Sequence, residues 1–144
     1  MPKITDILAT ADLLKAHCET LAGFDTVAVV VNRQKDIEAE VEAAVGKAGG
    51  SLLFIDLLRG QPEAEGSTAF DHTYLISLWS LPVLAKDGDA PSSVRLATLI
   101  NELTNWKPLP TTQPLSRFHI TEWGITPSKV YQIYSLTLKL REQF

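Results

Sequence analysis

The spacing of apolar residues in the first segment predicts a helix. They recur at steps of four and three along residues 5–22: Ile7, Ala11, Leu14, Cys18 and Leu21. This spacing places them on one helical face. Thr5 is expected to cap the helix, and Gly23 suits the position just past its end.

The next residues predict a strand, a helix and a second strand. The β-branched run at 26–31 is typical of a buried strand. Residues 36–48 carry an apolar stripe followed by two glycines, which predicts a helix. Residues 51–58 form a second apolar run and predict a strand, whereas the polar residues 59–68 predict a long loop.

The clearest alternation covers residues 70–83 and predicts a long strand with a bend near Pro82. One face of this strand is expected to hold Phe70, His72, Tyr74, Ile76 and Leu78. A turn at 86–89 then leads into a third helix, from Pro91 to about Trp106. The apolar stripe of that helix is Leu96, Leu99, Ile100 and Leu103.

The end of the chain predicts a proline-rich loop at 107–114 and two strands, at 115–125 and 130–141, joined by a turn. The order α-β-α-β-β-α-β-β predicts an α+β fold in a single domain, residues 1–144. We expect a mixed, mostly antiparallel sheet with helices packed on one face. The half-polar pattern of the last strand suits a sheet covered on one side only.

Composition and charge narrow the classes of function. The net charge of −4 argues against broad electrostatic binding of nucleic acid. Residues 1–72 hold 6 Lys and Arg against 12 Asp and Glu, and residues 73–144 hold 7 against 5. This asymmetry fits either two differently solvated faces or a head-to-tail contact between copies. No run reaches the roughly 20 apolar residues of a membrane span, so the protein is expected in the cytosol.

Few residues suggest chemistry. Cys18 lies on the apolar helix face, which indicates a buried structural thiol. Neither His17 nor His72 nor His119 has a second ligand at a recurrent metal spacing, so no metal or cofactor site is predicted. Strand alternation turns Asp71 away from His72, and it places Glu122 on the face opposite His119. No catalytic residue is therefore predicted.

Three further polar or aromatic features stay open between structure and function. Asp56 interrupts an apolar strand, which favours a hydrogen-bonded strand end over catalysis. Trp79, Trp106 and Trp123 fit core or hairpin packing, although as a set they are also typical of an interface. Nine of the eleven aromatic residues lie from Phe70 onward, so the late hairpins are expected to supply much of the core.

The size and element order of the chain resemble the tail-terminator and tail-completion proteins of long-tailed bacteriophages. The residues that carry this likeness are 32–38 with the helix that follows, 74–79, 97–106 and 130–140. The resemblance implies a homo-oligomeric ring, usually of six copies, that ends the tail tube and docks the head connector. The implied partners are further copies, the tail tube protein and the head-tail connector protein. The implied locations are the bacterial cytoplasm and the virion tail.

Contacts in such proteins are made by sheet edges and loops, which match residues 59–68 and 107–114 here. The candidate interface residues are Arg59, Gln61, Glu63, Glu65, Lys107, Thr111 and Gln113. Two other functions stay open. One is a small α+β ligand-binding or regulatory module that forms oligomers. The other is an enzyme whose site is assembled from Asp56, His72, His119 or Glu122.

Overall fold

The predicted α+β fold is confirmed in a computed structural model. It describes residues 6–33, 39, 42–43, 51–62, 64–80, 91–108, 117–126 and 132–143. These contain helices α1 (Ala9–Glu19) and α2 (Ser92–Leu103) and strands β1 (Ala28–Val31), β2 (Ser51–Pro62), β3 (Ala69–Ser80), β4 (His119–Thr126) and β5 (Gln132–Gln143). The predicted helix at 36–48 lies outside the described residues except for Ala39, Glu42 and Ala43, which are helical. Pro82 and the turns at 86–89 and 127–129 also lie outside them.

The five strands form one mixed sheet in the order β1-β2-β3-β5-β4. β1 runs parallel to β2, and every other pair is antiparallel. Because β3 pairs with both β2 and β5 from Phe70 to Ser80, it fixes which residues share a face. Leu53, Leu78 and Tyr134 form one cross-strand row, and Ile55, Ile76 and Leu136 form the next.

Both helices pack against one face of this sheet, which we call the core face. Buried residues of α1 and α2 join those of β1, β2, β3 and β5 in one apolar cluster. Most of the predicted faces of α1, α2 and β3 are confirmed in this cluster, which includes Ala11, Leu14, Cys18, Tyr74, Ile76, Leu78, Leu96, Leu99 and Leu103. Burying each leucine or isoleucine of this cluster contributes roughly 1.5–3 kcal/mol.

The first helix is shorter than predicted. It begins at Ala9, so the predicted cap Thr5 is outside the described residues and Ile7 precedes the helix, where its side chain is exposed. The cause is a turn at Asp6, whose carboxylate accepts a hydrogen bond from the Leu8 backbone N–H at 2.9 Å. Gly23 adopts a φ of +84°, a conformation that favours glycine, but it lies beyond the helix end at Glu19.

The predicted loop at 59–68 is wrong in its first part, because β2 continues to Pro62. β3 is long enough to pair with these residues, and Pro62 lies opposite Phe70. The polar side chains that suggested a loop are tolerated because this end of β2 is exposed. Leu58 lies in a β-bulge between Leu57 and Arg59 that shifts the register by one residue.

Both described helices lie on one face of the sheet, as predicted, and the opposite face, which we call the outer face, is nevertheless buried near the start of β2. Leu52, Phe54 and Ile133 point to this face and are buried. The half-polar pattern that predicted one uncovered side belongs to the last strand. β2, by contrast, is apolar on both faces near its start. A run that is apolar on both faces is typical of a strand covered on both sides.

The second described helix ends at Leu103 rather than Trp106, because Thr104 is extended and Asn105 has a φ of 60°. This helix is attached to the sheet by Arg95, which is buried. Its guanidinium donates to the Gly23 carbonyl at 2.8 Å, to Thr26 Oγ1 at 3.0 Å and to Ser51 Oγ at 3.1 Å. None of the described helices is long and apolar enough to cross a membrane.

Adjacent leucines on α1 provide a test of this packing. Leu14 is fully buried, whereas Leu13 is 38% exposed. We expect Leu14→Ala to lower the free energy of unfolding by about 2–5 kcal/mol, because it leaves a cavity under the helix. Leu13→Ala, the matched control, should cost about 1 kcal/mol or less. Urea unfolding followed by circular dichroism measures both, and equal losses would contradict this position of the helix.

Candidate functional site

A buried acid–imidazole pair lies at one end of the core face. His72 on β3 and Glu142 on β5 are 2% and 1% exposed, and His72 Nδ1 is 2.5 Å from Glu142 Oε2. The Tyr74 hydroxyl donates to Glu142 Oε1 at 3.3 Å. Burial, the nearby carboxylate and this hydrogen bond raise the pKa of Tyr74, so the phenol stays protonated.

Sequence reasoning placed His72 on the correct face but missed Glu142. A usable signal was present, because the alternation of Leu136, Leu138 and Leu140 continues to Glu142. The predicted strand ended at Arg141, one residue too early, and β5 extends to Gln143. The pairing itself could not be predicted, because it requires the register in which His72 lies opposite Leu140.

Gly60 on β2 lies directly against the imidazole of His72. It lies opposite His72 in the sheet. A Cβ atom on Gly60 would lie 2.6 Å from His72 Cδ2 and 2.9 Å from Nε2. The absence of a side chain at residue 60 therefore allows the imidazole to lie against the backbone of β2.

A series of aromatic contacts joins this pair to the first helix. The ring of Tyr74 meets Phe118 edge-on at 5.6 Å, and Phe118 stacks on Trp106 at 5.6 Å. Trp106 in turn stacks on His17 at 4.3 Å with nearly parallel planes. Such contacts contribute about 0.5–1.5 kcal/mol each beyond the area they bury. Core packing is thus confirmed for Trp106, whereas Trp123 is exposed.

Cys18 and Asp56 have the structural positions expected of them. Cys18 is fully buried, and burial followed by the charge of Glu19 raises the pKa of its thiol to about 12. A thiol with so high a pKa is a poor nucleophile. The Asp56 carboxylate accepts a hydrogen bond from Asn32 Nδ2 at 2.5 Å, which connects the end of β1 to β2.

The outer face holds a second set of polar residues, which we call the basic groove. It has a volume of about 390 Å³ and is lined by Asp71, Arg117, His119, Thr121, Lys139 and Arg141, with Leu140 beside them. As expected, Asp71 points away from His72. Its carboxylate accepts from Arg141 Nε at 2.8 Å and from Nη2 at 3.3 Å. This bond, more than the longer-range charge of Lys139, holds the pKa of Asp71 below its usual range.

The prediction that Glu122 lies on the face opposite His119 is wrong. The register of β4 shifts between Ile120 and Glu122, so that His119 lies opposite Lys139 and Glu122 opposite Thr137. Both partners are on the outer face of β5, and therefore His119 and Glu122 share that face. A one-residue bulge reverses every later assignment made by simple alternation.

The seven candidate interface residues are only partly described. Arg59 and Gln61 are exposed on β2, opposite Thr73 and Asp71, and therefore point to the outer face rather than lying in a loop. Glu65 is exposed in the turn between β2 and β3, and Lys107 is partly buried after α2. Glu63, Thr111 and Gln113 lie outside the described residues.

Among the described residues, no group of three or more His, Cys, Asp and Glu side chains is arranged to hold a metal ion. The four residues considered for an enzyme site do not converge. His72 is sealed on the core face, Asp56 is hydrogen-bonded to Asn32, and His119 and Glu122 are exposed on β4.

Comparison with known proteins supports the fold and no more. No protein-family model matches the chain, and no curated protein matches it. One solved structure without a functional name aligns with a TM-score of 0.50 and 14% sequence identity. The alignment covers 93% of this chain and 96% of the chain in that structure. At this level of identity the likeness shows the fold alone.

Two glycines in strands provide a test of the packing around His72. Gly60→Ala should lower the free energy of unfolding by about 1–3 kcal/mol, because the new methyl group overlaps a buried ring. Gly124→Ala on β4 is the matched control, since a Cβ atom there has no neighbour within 4 Å among the described atoms. Thermal unfolding measures both, and an unchanged melting temperature for Gly60→Ala would contradict the close approach of the imidazole.

Two glutamates test the acid–imidazole pair. Glu142→Ala should lower the free energy of unfolding by about 3–5 kcal/mol, because it removes one member of a buried pair and the acceptor of the Tyr74 hydroxyl. Glu122→Ala is the control at an exposed position of β4, with an expected change within about 0.5 kcal/mol. Chemical denaturation measures both, and similar values would show that Glu142 is not held in a buried pair.

Proposed function

We propose that this protein is a tail-assembly protein of a long-tailed phage or prophage. In this role it caps the tail tube as a homo-oligomeric ring of six copies and offers a docking surface to the head-tail connector. The resemblance in element order over the chain suggests this role. The structural observation that carries the proposal is the exposed edge strand β4.

β4 lies at the end of the sheet order, and only β5 pairs with it among the described residues. Its other edge therefore has backbone N–H and C=O groups that can pair with another chain. Trp123 and Ile125 on this strand are 57% and 59% exposed. They lie opposite Leu136 and Tyr134, so both are on the core face. Exposed aromatic residues beside an open edge are typical of a surface that another protein covers.

A ring needs two different surfaces on each copy, because a head-to-tail contact joins one patch to another and closes by rotation. The two edges of this sheet differ in this way. β4 is an eight-residue antiparallel edge, and β1 is a four-residue edge parallel to its neighbour. An assembly that must end a filament requires closure, since the same kind of contact without closure would extend it.

The hairpin of β2 and β3 offers a further surface for the tube protein or the connector. Arg59, Gln61 and Glu65 are exposed there, and they carry charge of both signs. Rim charges of this kind set the specificity and rate of association more than the affinity.

A non-enzymatic role is supported by the position of the acid–imidazole pair. A general base must reach the proton that it removes from a substrate. His72 and Glu142 are almost fully buried, so a substrate has no access to them in this conformation.

The proposal predicts that negative charges in place of Trp123 and Ile125 on β4 prevent assembly. Trp123→Glu together with Ile125→Glu should abolish binding to tail tubes, because it places two charges in the proposed contact. Val94→Glu on α2 is the control, since Val94 is also an exposed apolar residue, at 52%. Cosedimentation with tubes and negative-stain microscopy measure the result. A ring of six 15.8 kDa copies has a mass of about 95 kDa.

Deletion of the gene in the phage or prophage that encodes the protein tests the role itself. Overlong tails, or tails without heads, would support the proposal, and the control variant should restore normal particles where the β4 variant does not. Tails of normal length joined to heads after deletion would overturn it.

A further inference from the structure

The basic groove holds more positive charge than its own carboxylate neutralises. Among the described residues that line the groove, Arg117, Lys139 and Arg141 are basic and Asp71 is the one acid. Asp71 already holds Arg141 through two hydrogen bonds. This leaves Arg117 and Lys139, which have no hydrogen bond or ion pair with another described residue.

The sheet forces these cations together. Lys139 lies directly opposite His119, and Arg141 is two residues beyond Lys139 on the same face of β5. Arg117 is two residues before His119, and Phe118 between them is buried on the core face, so Arg117 is directed to the outer face. Cations at neighbouring positions on one face repel each other, and a bound counter-charge would reduce that repulsion.

The neighbouring acid on β4 does not supply that counter-charge. Glu122 lies opposite Thr137, one outer-face position farther along β5 than the row of His119 and Lys139. It does not line the groove.

The segment that carries Arg117 is fixed in place by backbone hydrogen bonds. The Phe118 N–H donates to the Trp106 carbonyl, and the Phe118 carbonyl accepts from the Asn105 N–H.

The donors suit a compact oxyanion. A guanidinium offers a planar pair of N–H donors, and a lysine offers a point charge. The Thr121 hydroxyl lies beside them but donates to the Thr137 carbonyl at 3.3 Å, so the two cations are the donors that face an anion. The volume of about 390 Å³ is that of a small-molecule site rather than of a long channel. The net charge of −4 argues against a nucleic-acid backbone as the ligand.

We propose that the basic groove binds the phosphate group of a small molecule, with Arg117 and Lys139 as the contacting cations. Free phosphate and a phosphate monoester share this chemistry. The site is independent of the proposed ring, because it uses the outer face of β4 and β5 rather than Trp123 and Ile125 on the core face.

Titration calorimetry with inorganic phosphate and with glycerol 3-phosphate tests the site. Binding of either probe supports the proposal, and the tighter probe distinguishes free phosphate from an ester. Arg117→Gln and Lys139→Gln should each weaken binding by about tenfold or more, because each removes a charged donor. Lys15→Gln is the matched control on α1, which packs against the core face, and it should leave the affinity unchanged.

A second measurement does not depend on the variants. Phosphate should shift the backbone amide NMR signals of Thr121 and Lys139 in the unmodified protein, and acetate at equal ionic strength should not. The proposal is overturned if neither probe binds, if Lys15→Gln weakens binding as much as the groove variants do, or if acetate produces the same shifts. Binding of a single-stranded oligonucleotide without binding of either phosphate probe would also overturn it.

Discussion

The pairing of β3 on both sides is the constraint on which the rest of this structure depends. Its twelve residues lie between β2 and β5, so its alternation determines which side chains share each face of the central sheet. Tyr74, Ile76 and Leu78 form the floor on which both helices pack. The same alternation places His72 inside and Asp71 outside, although they are adjacent in the chain. The buried pair and the basic groove are therefore two consequences of one register.

Much of this arrangement could be predicted from the sequence, because period-two and period-3.6 patterns report burial directly. The apolar stripes of both described helices and the inner face of β3 are where those patterns place them. The predictions failed where local geometry departs from regular alternation. The bulge at Leu58 allows a polar segment to continue as strand, and the shift before Glu122 returns that residue to the face of His119. A bulge leaves no reliable mark in a single sequence.

The polar contacts were harder to predict than the elements, because they join residues that are far apart in the chain. Glu142 reaches Tyr74 across 68 positions, and Arg95 reaches Gly23 across 72. Arg95 lies next to Leu96 on a helix whose apolar stripe gave no reason to expect a buried cation. Its burial is compensated by acceptors from two other segments, Gly23 and Thr26 in one and Ser51 in the other. Such compensation follows from the tertiary fold and not from local pattern.

Polar chemistry in this molecule divides according to the face of the sheet. Near the core face, Glu142 and Arg95 are buried with hydrogen-bond partners, so their hydrogen bonds stabilise the fold. The outer face leaves Arg117 and Lys139 available to solvent. β4 contributes side chains to both faces, since Trp123 lies on the core face and His119 on the outer face of the same strand. The exposed apolar side chains of β4 and the side chains of Arg117 and Lys139 lie on opposite faces of the sheet, so a protein at Trp123 and an anion in the basic groove would not occupy the same place.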